Sequence, residues 1–234
     1  MVDGNSILMS QPIQAIIFDL DGVIIDSNPA IVTFWDHWAK QFGFELTQDM
    51  ILEWVYGRKV TATIEGLFSK ATEEEQQAIR DAGYAFDAAM HPTGIEGVQD
   101  FVQALKVLDF PRGVATSSHK ERMEQMLERI GLPNHFEFSI TAHDVTLGKP
   151  HPEPYLKMAQ KLGIEPSNCL VFEDAISGVQ SANAAGMICI GIGNAFTAEK
   201  LKAAGAKEVI ENFTQLHIRN NTMTTSNNCN YSLI

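Results

Sequence analysis

The sequence predicts an α/β fold, in which a doubly wound parallel sheet carries a helical unit inserted after its first strand. Two observations lead to this prediction. Short, mostly apolar runs recur along the chain, and stretches with helical spacing of apolar residues separate most of them. The segment from about residue 29 to residue 92 breaks this alternation, because it contains helical patterns and no clear strand.

Six apolar runs are the candidate strands. The first, Ala15–Phe18, ends abruptly at Asp19. Short runs of this kind suit strands that are buried on both faces, as in a parallel sheet. The other five runs are 113–115, 138–141, 170–172, Ile188–Ile192 and Glu208–Ile210.

Helices are expected between these strands and throughout the insert. Residues 98–108 have apolar side chains at helical spacing, Ser118 and Glu121 form a capping-box pattern, and the small, apolar residues 175–185 end before Gly186. In the insert, the predicted helices cover residues 31–41, 49–55, 60–69 and 73–90, the last behind a Thr72/Glu75 capping box.

These elements predict two domains. Residues 1–28 and 93–219 would form a Rossmann-like catalytic core, and residues 29–92 a helical cap domain. Residues 220–234 are rich in Asn, Thr and Ser, and we expect them to be a flexible tail.

Composition limits the classes of partner. The net charge of -12 argues against a broad surface for nucleic acid or anionic membrane, whose phosphates would be repelled. The three cysteines lack metal-site spacing, and no apolar run is long enough to span a membrane. The N-terminus lacks a basic region followed by an apolar stretch, so no signal peptide is expected. We therefore expect a cytoplasmic monomer or weak dimer that binds a small molecule.

Two carboxylates follow the first strand directly, in the run Asp19-Leu20-Asp21-Gly22-Val23. Ligands of doubly wound sheets gather beyond the carboxyl ends of the strands. There, Asp19 could attack phosphorus, and Asp21 could protonate the leaving oxygen. Both roles need a cation, because carboxylates and phosphate repel each other. The alternative is a solvated turn, where Asp and Gly are common.

Three further polar groups each follow another strand or precede a helix. Thr116 and Ser117 could bind phosphate oxygens, whereas Ser118 suits a helix N-cap equally well. Lys149, followed by two prolines and then a helix, could neutralise a phosphate or be a solvated surface lysine. Glu173-Asp174 could ligate a hard metal or cap the next helix.

The order of these groups favours the functional interpretation. All of them would meet at one edge of one sheet, and together they supply a nucleophile, an acid/base, oxyanion donors, a cation and metal ligands. With these residues in place, the chain resembles the haloacid dehalogenase superfamily over about residues 13–216. The branch it resembles has a helical cap after the first strand and includes β-phosphoglucomutase and the sugar and glycerol phosphate phosphatases.

The resemblance implies roles for the core residues. Asp19 would be the nucleophile, and Asp21 the general acid/base, whose backbone carbonyl also faces the metal. Asp174 would be a further ligand of Mg²⁺ with Glu173 in support. Lys149 would pair with the nucleophile and the phosphate. Phosphoryl oxygens would be held by Thr116 and by the amide of Ser117.

Substrate-binding candidates lie on the cap and beside the phosphate-binding hydroxyls. Arg58 and Lys59 match a cap loop that reaches toward substrate in similar proteins, although they could equally be solvated. Ser118 and His119 follow the phosphate-binding residues and are the other candidates.

The resemblance favours a phosphatase acting on a small phosphorylated metabolite. Asp21 favours phosphate esters, since dehalogenases lack an aspartate there and an oxygen leaving group needs a proton. A sugar phosphomutase is the alternative, but its histidine on the first cap helix is replaced here by Ile31, with His37 further along. A non-catalytic metabolite-binding protein on the same fold is the third hypothesis.

Overall fold

A six-stranded parallel sheet forms the centre of the molecule, whose computed structural model describes residues 12–234. The strand order is β3-β2-β1-β4-β5-β6, with β1 paired to β2 on one side and β4 on the other. The predicted α/β class is therefore confirmed, and residues 1–11 of the predicted core lie outside the described part. The strands are β1 (Ala15–Phe18), β2 (Arg112–Ala115), β3 (Phe138–Ile140), β4 (Cys169–Glu173), β5 (Ile188–Ile192) and β6 (Glu208–Ile210).

Between residues 28 and 89, the regular secondary structure consists of helices joined by short loops. They pack on their own apolar cluster, which includes Trp35, Ile64 and Phe68. The Thr72/Glu75 capping box is present as predicted. The domain boundaries at residues 29 and 92 remain predictions. The helices are α1 (Asn28–Gln41), α2 (Gln48–Met50, continued by a π-helical turn at Ile51–Val55), α3 (Val60–Leu67) and α4 (Glu73–Ala89).

Five further helices cover the two faces of the sheet. Side chains alternate along β1, so that Ile16 and Phe18 join one buried cluster while Ala15 and Ile17 join the other. Helices α5 and α6 pack on the first cluster, and α7, α8 and α9 on the second. Their bounds are α5 (Val98–Val107), α6 (Lys120–Arg129), α7 (Glu153–Leu162), α8 (Ile176–Ala184) and α9 (Ala195–Ala203).

The predicted Ser118/Glu121 capping box is wrong. Helix α6 begins at Lys120, with His119 in the N-cap position and no side-chain cap. The hydroxyl of Ser118 donates instead to the carboxylate of Asp21, at 3.1 Å. A hydrogen bond to a carboxylate is stronger than one between neutral groups, which explains why the capping contact is lost.

The expected flexible tail is also wrong, because residues 216–232 form a three-stranded antiparallel sheet of β7 (Leu216–Arg219), β8 (Thr222–Thr225) and β9 (Asn230–Ser232). Met223, Tyr231 and Leu233 are buried against the core. The turn between β7 and β8 has two asparagines at φ 49° and 56°, as a tight hairpin turn requires. The polar composition therefore reflects hairpin turns and solvent-facing strand positions.

Among the described residues, every helix is too short or too polar to cross a lipid bilayer.

Candidate active site

Asp19 lies at the end of the central strand and is paired with a buried lysine. Its backbone N–H donates to the carbonyl oxygen of Phe172 in β4, at 3.0 Å. The Nζ atom of Lys149 donates to Oδ1 of Asp19 at 2.8 Å, to Oε1 of Glu173 at 2.5 Å and to the carbonyl oxygen of Ala115 at 3.1 Å. The Lys149 side chain is 1% exposed, so these three acceptors fix its ammonium in place.

The charges of this pair are set by burial and by each other. Burial raises the pKa of Asp19 to about 7; Lys149 opposes the rise, and Glu173 adds to it. Burial alone would lower the pKa of Lys149, but the two carboxylates raise it above its ordinary value. The ammonium therefore stays charged, and an added cation would favour the carboxylate form of Asp19.

Both carboxylate oxygens of Glu173 accept two hydrogen bonds each from other groups of the protein. Its Oε1 accepts from Lys149 and from the hydroxyl of Tyr155, at 2.7 Å. Its Oε2 accepts from the backbone N–H groups of Asp174 at 3.0 Å and Ala175 at 3.1 Å. Glu173 thus positions Lys149 and the start of the following loop.

Three carboxylates form a cluster that fits a metal ion. Asp19, Glu173 and Asp174 each offer one oxygen, and these atoms lie within 4.8 Å of one another. Within residues 12–234, Oδ1 of Asp174 is buried and lacks a hydrogen-bond partner. Burial, with Glu173 and Asp19 adding to it, raises the pKa of Asp174 well above its usual range. Because the oxygens of Glu173 are already engaged, Asp19 and Asp174 fit a hard cation best.

Asp21 is held by an arginine that sequence reasoning missed. Arg122 of α6 donates to Oδ2 of Asp21 at 2.7 Å and to Oδ1 at 2.8 Å. Hydroxyls of Ser27, at 2.5 Å, and Ser118, at 3.1 Å, donate to the same carboxylate. Burial raises the pKa of Asp21, but Arg122 and the hydroxyls outweigh it and the net shift is downward. Arg122 also donates to Asp87 of cap helix α4 at 2.7 Å, so it joins cap and core.

The signal for Arg122 was present in the sequence. Arg122 lies on the buried face of α6 together with Met123, Met126 and Leu127, which repeat at helical spacing. An arginine on an apolar helix face needs a buried acidic partner. Its partner, however, comes from a loop 101 residues away, which helical spacing does not reveal.

The predicted phosphate-binding residues line a cavity of about 340 Å³ together with Asp19. Thr116 accepts from the backbone N–H of Ser118 through Oγ1, at 3.0 Å. The hydroxyl of Ser117 donates to the carbonyl oxygen of Gly57 in the cap, at 2.9 Å. The cavity is large enough for a small metabolite and lies between the core and the cap.

Arg58 and Lys59 line the same cavity, but each donates a hydrogen bond to a backbone carbonyl elsewhere. Nε of Arg58 donates to the carbonyl oxygen of Glu53 at 3.1 Å. Nζ of Lys59 donates to the carbonyl oxygens of Ala142 at 2.9 Å and Val145 at 3.3 Å, which lie in the core. Lys59 therefore acts as a bridge between cap and core in this conformation, and substrate binding by either residue remains a prediction.

His119 lines the cavity beside a second histidine. Its Nδ1 lies 2.8 Å from Nε2 of His143, and its ring stacks with Tyr84 of α4 with ring centroids 5.9 Å apart. Burial and His143 lower the pKa of His119. The neutral ring thus belongs to an aromatic group at the boundary between cap and core.

A sequence model of the haloacid dehalogenase-like hydrolase family matches residues 16–192, which contain every residue of the candidate site described above. The chain belongs to the haloacid dehalogenase-like hydrolases. This membership confirms the resemblance and the prediction of a hydrolase.

Named relatives of this hydrolase include two sugar or polyol phosphatases. Glycerol-1-phosphate phosphohydrolase 2 of Saccharomyces cerevisiae is 30% identical over 220 residues, covering 90% of this chain and 86% of the yeast protein. Hexitol phosphatase A of Escherichia coli is 32% identical over 184 residues, covering 75% and 81%. The structure of β-phosphoglucomutase from Clostridium difficile is similar to this haloacid dehalogenase-like hydrolase with a TM-score of 0.73 at 25% identity, covering 88% and 94%.

Proposed function

We propose that this chain is a Mg²⁺-dependent phosphatase that removes phosphate from a small metabolite, such as a sugar or polyol phosphate, through phosphorylated Asp19. The observation that carries the proposal is the position of Asp19. It lines the cavity beside Thr116 and Ser117, and its Oδ1 is held 2.8 Å from the ammonium of Lys149. A phosphate ester in this cavity would meet a nucleophile, hydrogen-bond donors and a fixed positive charge together.

Asp19 and Asp174 would hold Mg²⁺, and the family resemblance adds the backbone carbonyl of Asp21. The unpartnered Oδ1 of Asp174 and the oxygen-only donor set support this assignment. Bound Mg²⁺ supplies charge neutralisation between the attacking carboxylate and the phosphate.

The proposed chemistry has two steps. In the first, a carboxylate oxygen of Asp19 forms a bond to phosphorus, the ester P–O bond breaks, and the leaving oxygen takes a proton from Asp21. In the second, Asp21 takes a proton from water, the water oxygen bonds to phosphorus, and the bond to Asp19 breaks. The products are the alcohol and inorganic phosphate, and both aspartates are restored.

Asp21 needs to change its contacts for the first step. Both of its oxygens accept from Arg122 in this structure, which disfavours the protonated form that donates. Arg122 is bound to the cap through Asp87. Movement of the cap around a substrate would therefore change the environment of the proton donor.

The names of the relatives support the substrate class. Proteins 30% and 32% identical to this chain are named for glycerol 1-phosphate and for hexitol phosphates. The cavity of about 340 Å³ suits a metabolite of this size.

A phosphomutase is the second candidate, because the β-phosphoglucomutase structure superposes over most of the chain. The cavity wall contains Ile31 at the position where the resemblance places a histidine of the mutase. An isoleucine cannot transfer protons, which favours the phosphatase.

A screen of phosphorylated metabolites for Mg²⁺-dependent phosphate release tests the proposal. We expect release from one or more sugar or polyol phosphates, loss of release in EDTA, and loss in Asp19→Asn with an unchanged circular dichroism spectrum. Full activity of Asp19→Asn would refute the nucleophile.

Product analysis separates the other hypotheses in the same screen. Isomerised sugar phosphate with little free phosphate, dependent on a bisphosphate activator, would indicate the mutase. Binding of metabolites without any turnover would indicate a non-catalytic protein.

A further inference from the structure

Among residues 12–234, one side-chain donor, at the start of helix α1, holds the side chain of Asp174 in its orientation. Nδ2 of Asn28 donates to Oδ2 of Asp174 at 2.6 Å. The other oxygen, Oδ1, is the buried atom without a hydrogen-bond partner among residues 12–234. Asp174 is 7% exposed, so water does not substitute freely for a missing partner. The contact with Asn28 therefore decides which oxygen is left for a cation.

The backbone at Gly22 is packed directly against this pair. Gly22 has φ 72°, and a Cβ atom built there would lie 2.1 Å from Oδ2 of Asp174 and 2.3 Å from Nδ2 of Asn28. Only a glycine allows such close approach and this backbone conformation together. The Asn28–Asp174 contact is thus enclosed on the side of the loop that carries Asp19 and Asp21.

Asn28 lies at the predicted boundary between core and cap, and it is the first residue of helix α1. Its neighbour Ser27 donates to Asp21 at 2.5 Å, so adjacent residues at the start of α1 contact two different carboxylates of the site. A movement of α1 relative to the core would displace the amide of Asn28 from Asp174.

We propose that Asn28 is a positioning residue for Asp174: its amide turns Oδ1 toward the metal position and thereby makes metal affinity depend on the first cap helix. The inference rests on the proposed function, because it takes Asp174 as a ligand of Mg²⁺. Groups that orient a metal ligand commonly change metal affinity by about 10- to 100-fold when they are removed. By reciprocity, bound metal must restrain the start of α1.

Direct metal binding tests the first part. Affinity for Mg²⁺ is measured by titration calorimetry, and affinity for Mn²⁺ by electron paramagnetic resonance, on the full chain without substrate. We expect Asn28→Leu, which keeps the size but lacks the amide, to bind both ions about 10- to 100-fold more weakly. Gln48→Leu is the matched control: Gln48 is an exposed amide on a second cavity, separate from the one that Asp19 lines, whose wall also contains Asn28 and Asp174, and its loss should leave affinity unchanged.

The outcomes separate this inference from the proposed function. If the wild-type chain binds neither ion, both fail. If the wild type binds and Asn28→Leu binds equally well, only the role of Asn28 is refuted. Melting in EDTA shows whether Asn28→Leu is folded, and Asn28→Ser replaces it if it is not, with the same expected loss.

Hydrogen exchange tests the coupling to the cap. Mg²⁺ should slow exchange of the Ile31 amide, which donates to the carbonyl oxygen of Ser27 at 2.9 Å, in the wild type but not in Asn28→Leu. Exchange at the start of α1 that is independent of Mg²⁺ in the wild type would refute the coupling.

Discussion

At the scale of single residues, the site balances three buried carboxylates against the ammonium of Lys149. Asp19, Glu173 and Asp174 are each 7% exposed or less. Burying several like charges is unfavourable unless a partner compensates them, and Lys149 contacts two of the three. The third, Asp174, keeps a bare oxygen, which is the feature that a divalent cation would compensate.

Replacing Lys149 by Met should destabilise the protein strongly, because it leaves Asp19 and Glu173 without their cation. In EDTA at neutral pH, we expect chemical denaturation to show a free energy of unfolding lower by about 3–5 kcal/mol. Lys157→Met is the control, since its ion pair with Glu153 is partly exposed and should cost less than about 1 kcal/mol.

The stability deficit of Lys149→Met, meaning its lower free energy of unfolding relative to the wild type, should become smaller as the pH falls. Without the ammonium, the folded variant binds a proton at buried Asp19 more readily than the unfolded chain does, so its stability decreases as pH rises relative to the wild type. A deficit that is equal at pH 6 and pH 8 would contradict this account of the site.

At the scale of elements, the sequence predicted the parts of the site that local pattern encodes. Asp19 and Thr116 end apolar runs, and parallel strands bring such ends to one edge, so their proximity follows from topology. The contacts Arg122–Asp21 and Asn28–Asp174 join residues 101 and 146 positions apart through side-chain geometry alone. Local periodicity carries no information about such pairs.

The C-terminal sheet of β7, β8 and β9 shows a different limit of prediction from sequence. The polar composition of residues 220–234 predicts a flexible tail. Met223, Tyr231 and Leu233, however, provide buried apolar positions between polar turns. Their tertiary partners stabilise strands that polar composition alone would argue against. Buried Glu208 adds to this by accepting from the hydroxyls of Thr225 at 2.7 Å and Tyr231 at 2.6 Å.

Leu233→Ala should therefore lower the free energy of unfolding by about 2–5 kcal/mol, because the side chain is 2% exposed in the core. The adjacent Ile234 is 64% exposed, and Ile234→Ala should change stability by less than about 0.5 kcal/mol. Denaturant titrations of the two variants measure both effects. If neither variant changed the free energy of unfolding measurably, the result would support a flexible tail instead.

Helix α6 should influence the pH dependence of turnover through Arg122. Arg122→Met removes the main group that lowers the pKa of Asp21, while burial continues to raise it. The pKa of Asp21 therefore rises, and the profile of kcat against pH should move to higher pH, whether Asp21 acts as acid or as base.

Arg129→Met provides the matched control for Arg122→Met. Arg129 also joins α6 to the end of α4, by donating to the carbonyl oxygen of Ala88 at 2.9 Å, but its guanidinium pairs with backbone carbonyls of the cap instead of Asp21. The profile of kcat against pH for Arg129→Met should coincide with that of the wild type. A profile that is unmoved in Arg122→Met, or moved equally in both variants, would contradict the role of Arg122.

At the scale of the whole molecule, the site lies where helices α1 to α4 meet the end of the parallel sheet. The loops after the strands provide Asp19, Lys149 and Asp174, while the helices before residue 90 close the cavity and contact the core through Lys59 and through Asn28 at the start of α1. Such an arrangement allows substrate to enter when the units separate and excludes bulk water when they meet. Phosphoryl transfer to Asp19 is the reaction that we propose for this site.

Trapping the phosphorylated enzyme tests the central claim most directly. Enzyme, Mg²⁺ and a substrate labelled in its phosphate are mixed, quenched in acid within milliseconds, digested and analysed by mass spectrometry. The account predicts an acid-stable, base-labile phosphoryl group on the peptide that contains Asp19, absent in EDTA and in Asp19→Asn. Phosphate release that proceeds with label on another residue, or with no covalent label at any quench time, would contradict it.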